Sequence, residues 1–170
     1  LPENPRALYL LGDIFDFWYE YKYVIPRGHT RVLGRLAALV DRGVDVYFFK
    51  GNHDIWAYDY FETELGIKVL EQPCVVEIEG KRFCLGHGDG LGPSPLGYRF
   101  LRGVFHCRLL QVLFSMLHPW IAFRLGNNWS KGNRLARKEE YVFKGEQEPL
   151  YKFAVDYSKD HEVDHFVFGH

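Results

Sequence analysis

An α/β fold is what this sequence predicts, and three observations predict it. Short apolar runs recur along the chain, stretches of helical spacing separate them, and four of the runs end at a glycine followed by a polar residue. Ala7 to Leu11 is the first run; it ends at Gly12-Asp13 and reads as a buried strand entering a loop. Val32, Leu33, Leu36, Leu39 and Val40 then recur at helical spacing, with Gly43 as the stop. Val44 to Phe49 is a second buried strand, leading into Lys50-Gly51-Asn52-His53-Asp54. Residues 57–65 read as helix, stopped by Gly66. Val75 to Ile78, a Glu79-Gly80 turn and Arg82 to Leu85 make a hairpin whose second strand meets Gly86-His87-Gly88-Asp89. Residues 96–126 read as two or three helices broken at Pro119, and residues 149–160 as another helix. Phe166 to Phe168 is a last strand, meeting Gly169-His170.

Composition narrows the class. A length of 170 residues fits a single domain, and 47% apolar residues suffice for a buried core. A net charge of −1 gives no whole-molecule field that would draw the chain to nucleic acid, so no nucleic-acid partner is expected. Cys74, Cys84 and Cys107 are an odd set without a C-x-x-C pair, which argues against a disulfide or zinc framework and for a reducing compartment. Cys84, inside an apolar run, reads as a small core residue. No apolar run approaches the ~18 residues of a transmembrane helix. The sequence opens on Leu-Pro-Glu-Asn-Pro without Met and stops at Phe-Gly-His, straight out of a strand-like run, so a fragment truncated at both ends is expected.

The four glycine-led strand ends carry the chemistry: Gly12-Asp13, Gly51-Asn52, Gly86-His87 and Gly169-His170. In open α/β sheets ligands bind at the carboxyl ends of strands, and glycine lets backbones turn sharply and approach closely. One carboxylate, one amide oxygen and two imidazoles form a mixed oxygen and nitrogen set suited to borderline divalent ions such as Mn²⁺, Fe²⁺ or Zn²⁺. Taken singly, Gly-Asp after a strand is most often a turn, Asn52 a turn residue, and His87 or His170 a hydrogen-bonded surface histidine. Taken jointly, four such ends in one short chain point to a metal centre. Asp16, Asp54 and Asp89 read as outer carboxylates that orient ligands, with Asp54 placed to fix the tautomer of His53.

These residues resemble a family. Gly12-Asp13-Ile-Phe-Asp16, Gly51-Asn52-His53-Asp54 and His87-Gly88-Asp89 look like the central motifs of the calcineurin-like metallophosphoesterases, and Gly169-His170 like the first half of their closing Gly-His-x-His. Within that family Leu10-Leu-Gly-Asp-Ile-Phe-Asp-Phe-Trp18 is most similar to the UDP-2,3-diacylglucosamine pyrophosphohydrolases of lipid A synthesis. The resemblance implies a layered α/β/β/α sandwich with a helical lid or insertion over residues 94–145. It implies two divalent ions, Mn²⁺ before Fe²⁺ or Zn²⁺, with Asp13 bridging them and Asn52, His87 and His170 completing one site. His53 would stabilise the transition state or protonate the leaving group. The family's opening Asp-x-His has no counterpart before Leu8, and the second closing histidine would fall one residue past His170, so most ligands of the other site are missing. Many relatives carry Arg where His53 stands. The implied reaction is hydrolysis of the nucleotide-activated glycolipid to UMP and 2,3-diacylglucosamine 1-phosphate (lipid X), in the cytoplasm and peripheral to the inner membrane of a Gram-negative bacterium.

Residues 94–138 bear on the substrate independently. They hold eight Lys or Arg and no Asp or Glu, interleaved with Tyr98, Phe100, Phe105, Phe114, Trp120, Phe123 and Trp129. Apolar helices with a basic face can lie at an anionic membrane surface or cover an acyl chain. Lys131, Arg134 and Arg137 recur at three-residue spacing and would share a helix face toward phosphates. The alternatives are an ordinary helical subdomain with solvated cations, a phosphoesterase acting on a soluble phosphodiester, nucleotide or phosphoprotein, and a non-catalytic scaffold on the same fold.

Overall fold

The computed structural model describes residues 5–136 and 144–170, with the side chains of residues 131 and 133–136 outside that description. The chain divides into two compact units, Leu1–Gly88 with Asp164–His170, and Asp89–Val163. Among the described residues the sheet-containing unit holds six strands and two helices: β1 (Ala7–Leu10), α1 (Thr30–Asp41), β2 (Asp45–Phe49), α2 (Tyr60–Thr63), β3 (Lys68–Leu70), β4 (Cys74–Ile78), β5 (Lys81–Gly86) and β6 (His165–Phe168). The helical unit holds α3 (Leu96–His106), α4 (Arg108–Ser115), α5 (Pro119–Ala136), α6 (Pro149–Tyr157) and a short 3₁₀ turn at Gly145–Gln147. The expected α/β class is thus met by a mixed α/β chain.

Two three-stranded sheets make up the first unit. In one, β1, β2 and β3 are parallel, with Leu10 opposite Phe48 and Phe49 opposite Leu70. In the other, β5 pairs antiparallel with β4 and parallel with β6, which sets Gly86 opposite Phe168. Parallel pairing matters for the site, because it brings the carboxyl ends of β1 and β2 to one edge and those of β5 and β6 to another. Leu33, Leu36 and Leu39 of α1 recur at helical spacing and pack with Val46, Phe48, Phe61 and Ile67 into one core. Burying a side chain of this size stabilises the fold by about 1.5–3 kcal/mol relative to exposure. Cys84 is fully buried, and burial pushes its thiol up to about 11, as a core cysteine requires.

Three elements differ from the sequence reading. The helix expected over residues 57–65 is a single turn, Tyr60–Thr63, because the Glu20 carboxylate captures the N–H groups of Tyr58, Asp59 and Tyr60 at 2.6, 3.0 and 3.3 Å. The three-residue strand β3 carries too short an apolar run to stand out in the sequence. The break expected at Pro119 is present between α4 and α5, with Pro119 opening α5, where its missing N–H costs nothing; that helix, however, runs past residue 126 to Ala136. Among the described residues no helix is long and apolar enough to cross a membrane.

Candidate metal centre

His87 is the hub of the site. It follows β5, is fully buried, and its Nδ1 lies 2.9 Å from the Leu11 carbonyl oxygen. A carbonyl can only accept, so Nδ1 carries the proton and donates, which turns Nε2 inward as the coordinating nitrogen. Around Nε2 stand Asp13 Oδ2 at 3.4 Å, Asn52 Oδ1 at 3.3 Å and His170 Nδ1 at 3.2 Å. Ligating atoms of Asp13, His87 and His170 all lie within 4.8 Å of one another. Lone pairs converging at this range repel unless a proton or a cation sits among them. The carboxylate, amide and imidazole donors match a divalent ion of borderline hardness.

Each donor is held by the strand it leaves. β1 ends at Gly12 and Asp13, both in the left-handed region with φ of 82° and 51°. Such a φ is unusual for Asp and persists only where the surroundings fix it. Here Asp13 Oδ1 accepts the His53 N–H at 2.8 Å, tying the first loop to the second. A Cβ on Gly12 would lie 2.6 Å from His87 Nδ1, so only glycine lets β1 come this close to the buried ring. Similarly, a Cβ on Gly51 would collide with the Asp13 carboxylate. His170 is placed by the continuation of the β5–β6 ladder, in which Gly169 N–H donates to Gly86 at 3.2 Å and His170 N–H to the His87 carbonyl at 2.7 Å.

Asp54 is fully buried and spends its oxygens on the two loops that carry Asp13 and Asn52. Oδ1 accepts the Gly51 N–H at 2.6 Å and Oδ2 the Ile14 N–H at 2.9 Å. Burial pushes its carboxyl up to about 6, the nearby charge of Asp13 adds to the rise, and the Gly51 and Ile14 donors oppose it. What orients His53 is a different group: its Nδ1 pairs with the Asp16 carbonyl at 2.9 Å, so backbone takes the part expected of the Asp54 side chain. The side chain of Asp16 is exposed. Asp89 belongs to the helical unit, where Oδ2 pairs with Arg102 Nε at 3.1 Å.

Two further residues shape these loops and escape a reading by motif. Glu20, buried among aromatics, accepts the Trp18 indole N–H at 2.9 Å besides its three backbone donors. Together with the Trp18 N–H to His53 carbonyl bond at 2.9 Å, it zips residues 18–20 along residues 53–60. Gln72 Oε1 accepts the Gly88 N–H at 2.8 Å and steadies the turn after His87. A lone acid in the run Phe-Trp-Tyr-Glu-Tyr was the only hint of the first; nothing in the sequence marks the second. Arg137 lies outside the described residues, as do the side chains of Lys131 and Arg134.

No family model matches the chain. It is 40% identical over 179 residues to a UDP-2,3-diacylglucosamine hydrolase of Porphyromonas gingivalis, covering 97% of this chain and 68% of that protein. Proteins of the same name from Photorhabdus laumondii and an Enterobacter species are 32% and 30% identical, each over 96% of this chain and 67% of the relative. The chain therefore spans about two thirds of the length of these three relatives.

Proposed function

The chain belongs to the family of UDP-2,3-diacylglucosamine hydrolases, and on that premise we propose that it cleaves the pyrophosphate of UDP-2,3-diacylglucosamine. The products are UMP and 2,3-diacylglucosamine 1-phosphate. The observation that carries this reading is the convergence of Asp13, Asn52 and His170 on the inward Nε2 of His87. Asp13, Asn52, His87 and His170 would hold a divalent ion. Mn²⁺ is the ion we assign. Bound there, such ions polarise the phosphoryl oxygens and lower the pKa of the attacking water.

The chain's own groups do the rest. The Asp16 carbonyl accepts from His53 Nδ1–H, and in the imidazolium form the remaining Nε2–H would give a proton to the departing phosphate oxygen. Asp54 keeps the Asp13 and Asn52 loops in register. We place these residues on an α/β/β/α sandwich, with residues 94–145 as the helical insertion. That segment offers the exposed Leu96, Phe100, Leu109 and Met116 beside Arg99 and Arg108, with no acid between Ser94 and Lys138. Such a surface suits acyl chains and the anionic inner face of a membrane, where each cation contributes about 1 kcal/mol; Lys131, Arg134 and Arg137 add to it.

Release of UMP from the acylated UDP-sugar by the full-length protein, with and without Mn²⁺, tests the reading. Metal-dependent UMP release is the expected result. Turnover confined to soluble phosphodiesters would replace this substrate with another of the same chemistry.

A further inference from the structure

We infer that the helical unit contains a second anion site, a pocket on α3 that takes a phosphoryl group between Arg99 and Arg102. A cavity of about 240 Å³ opens there, lined by Gly90, Gly92, Ser94, Arg99, Arg102 and His106 among others. Arg99, Arg102 and His106 stand at i, i+3 and i+7, so one face of α3 carries two guanidiniums and an imidazole. The facing wall is backbone. Gly90 and Gly92 both lie in the left-handed region, at φ of 74° and 78°. A Cβ on Gly90 would come within 2.6 Å of Arg102 Nε, and one on Gly92 would strike the Pro149 carbonyl. That loop is therefore fixed against α3 on one side and the start of α6 on the other.

Among the described residues Arg102 is paired and Arg99 is not. Asp89 Oδ2 engages the Nε edge of Arg102 at 3.1 Å and so sets its fork. Asp89 is 5% exposed. The exposed guanidinium of Arg99 has no ion-pair partner among the described residues. Guanidinium forks match phosphate oxygens in pairs, which a point charge does not. The volume lies below the ~300–1,000 Å³ usual for drug-sized ligands, which selects a single phosphoryl group over a whole nucleotide. None of the metal-centre residues contributes, so this inference does not rest on the hydrolase reading.

Inorganic phosphate titrated calorimetrically into the Mn²⁺-loaded full-length protein tests it. Arg99→Gln is expected to weaken phosphate binding about tenfold or more, the scale of a lost charge-assisted pair of hydrogen bonds. Lys152→Gln removes the same charge from exposed α6 and is expected to leave binding within about twofold, since surface charge away from a site acts weakly. Arg102→Gln strips a buried carboxylate of its cation and perturbs folding, so exposed Arg99 is the deciding position. Flotation with phosphatidylcholine vesicles carrying phosphatidic acid separates the sources. Arg99-dependent flotation identifies a lipid headgroup phosphate; Arg99-dependent binding of free phosphate alone identifies a soluble one. Equal effects of Arg99→Gln and Lys152→Gln would overturn the site. So would phosphate binding that Asp13→Asn abolishes and Arg99→Gln leaves intact, because the ion would then sit at the metal centre.

Discussion

Trp18, Phe48, Phe49 and Phe61 are at most 1% exposed in the sheet-containing unit, whereas Leu96, Phe100 and Met116 of the helical unit stand 75–80% exposed. The most buried side chains of the helical unit are small or polar instead: Ala122, Ser130 and Asp89. The contrast separates two uses of apolar surface. In the first unit aromatics fill a core that fixes loops, and loops so fixed can hold Asp13 at a φ of 51° and four donors at one point. In the second, large apolar side chains of the described residues face outward, and Arg99 and Arg108 lie close to them in sequence.

If the first unit is a rigid cradle, its donors should be intolerant of change. Asp13→Asn keeps the shape and removes the charge; kcat for UMP release should fall on the order of 10³-fold, the upper range for loss of one preorganised electrostatic group. A loss under tenfold would mean that Asp13 is only a turn residue. His53→Ala should lower kcat and kcat/KM together by about 10²-fold with KM little moved, as befits a group acting on the leaving group. A change confined to KM would make it a binding residue. Asp54→Asn leaves every proposed ligand in place and loosens the Gly51 and Ile14 anchors. Mn²⁺ affinity should drop about 10–100-fold by direct titration, the usual cost of losing an outer hydrogen-bond partner.

The helical unit should behave in the opposite way. Phe100→Ser with Met116→Ser removes apolar surface that the fold does not bury, so unfolding free energy should change by no more than about 0.5 kcal/mol per site. Association with anionic liposomes should nonetheless weaken several-fold, because apolar area that enters a bilayer is lost. Unfolding shifts of several kcal/mol with unchanged liposome binding would erase the contrast between the units.

The strand ends of the site were legible because the ligand-bearing residue follows glycine directly after an apolar run, a pattern local in sequence. Gly12 and Gly51 were legible for the same reason, and their close approach to His87 and Asp13 is the physical content of that pattern. What was not legible depends on distance along the chain. Glu20 reshapes residues 57–60 across some 40 positions, and no local spacing encodes that capture. Asp54 was singled out for its neighbour His53 and instead serves Ile14, 40 residues away. The boundary after Gly88 falls inside the third motif, which reads straight through it, although the acid-free run from Ser94 marked the helical segment beyond.

Anomalous diffraction from crystals of the Mn²⁺-soaked full-length protein tests the central claim most directly. A peak is expected at about 2.0–2.2 Å from Asp13, Asn52, His87 Nε2 and His170, with loss of occupancy in the Asn52→Ala variant. A peak away from this cluster, or one that does not involve His87 Nε2, would contradict it.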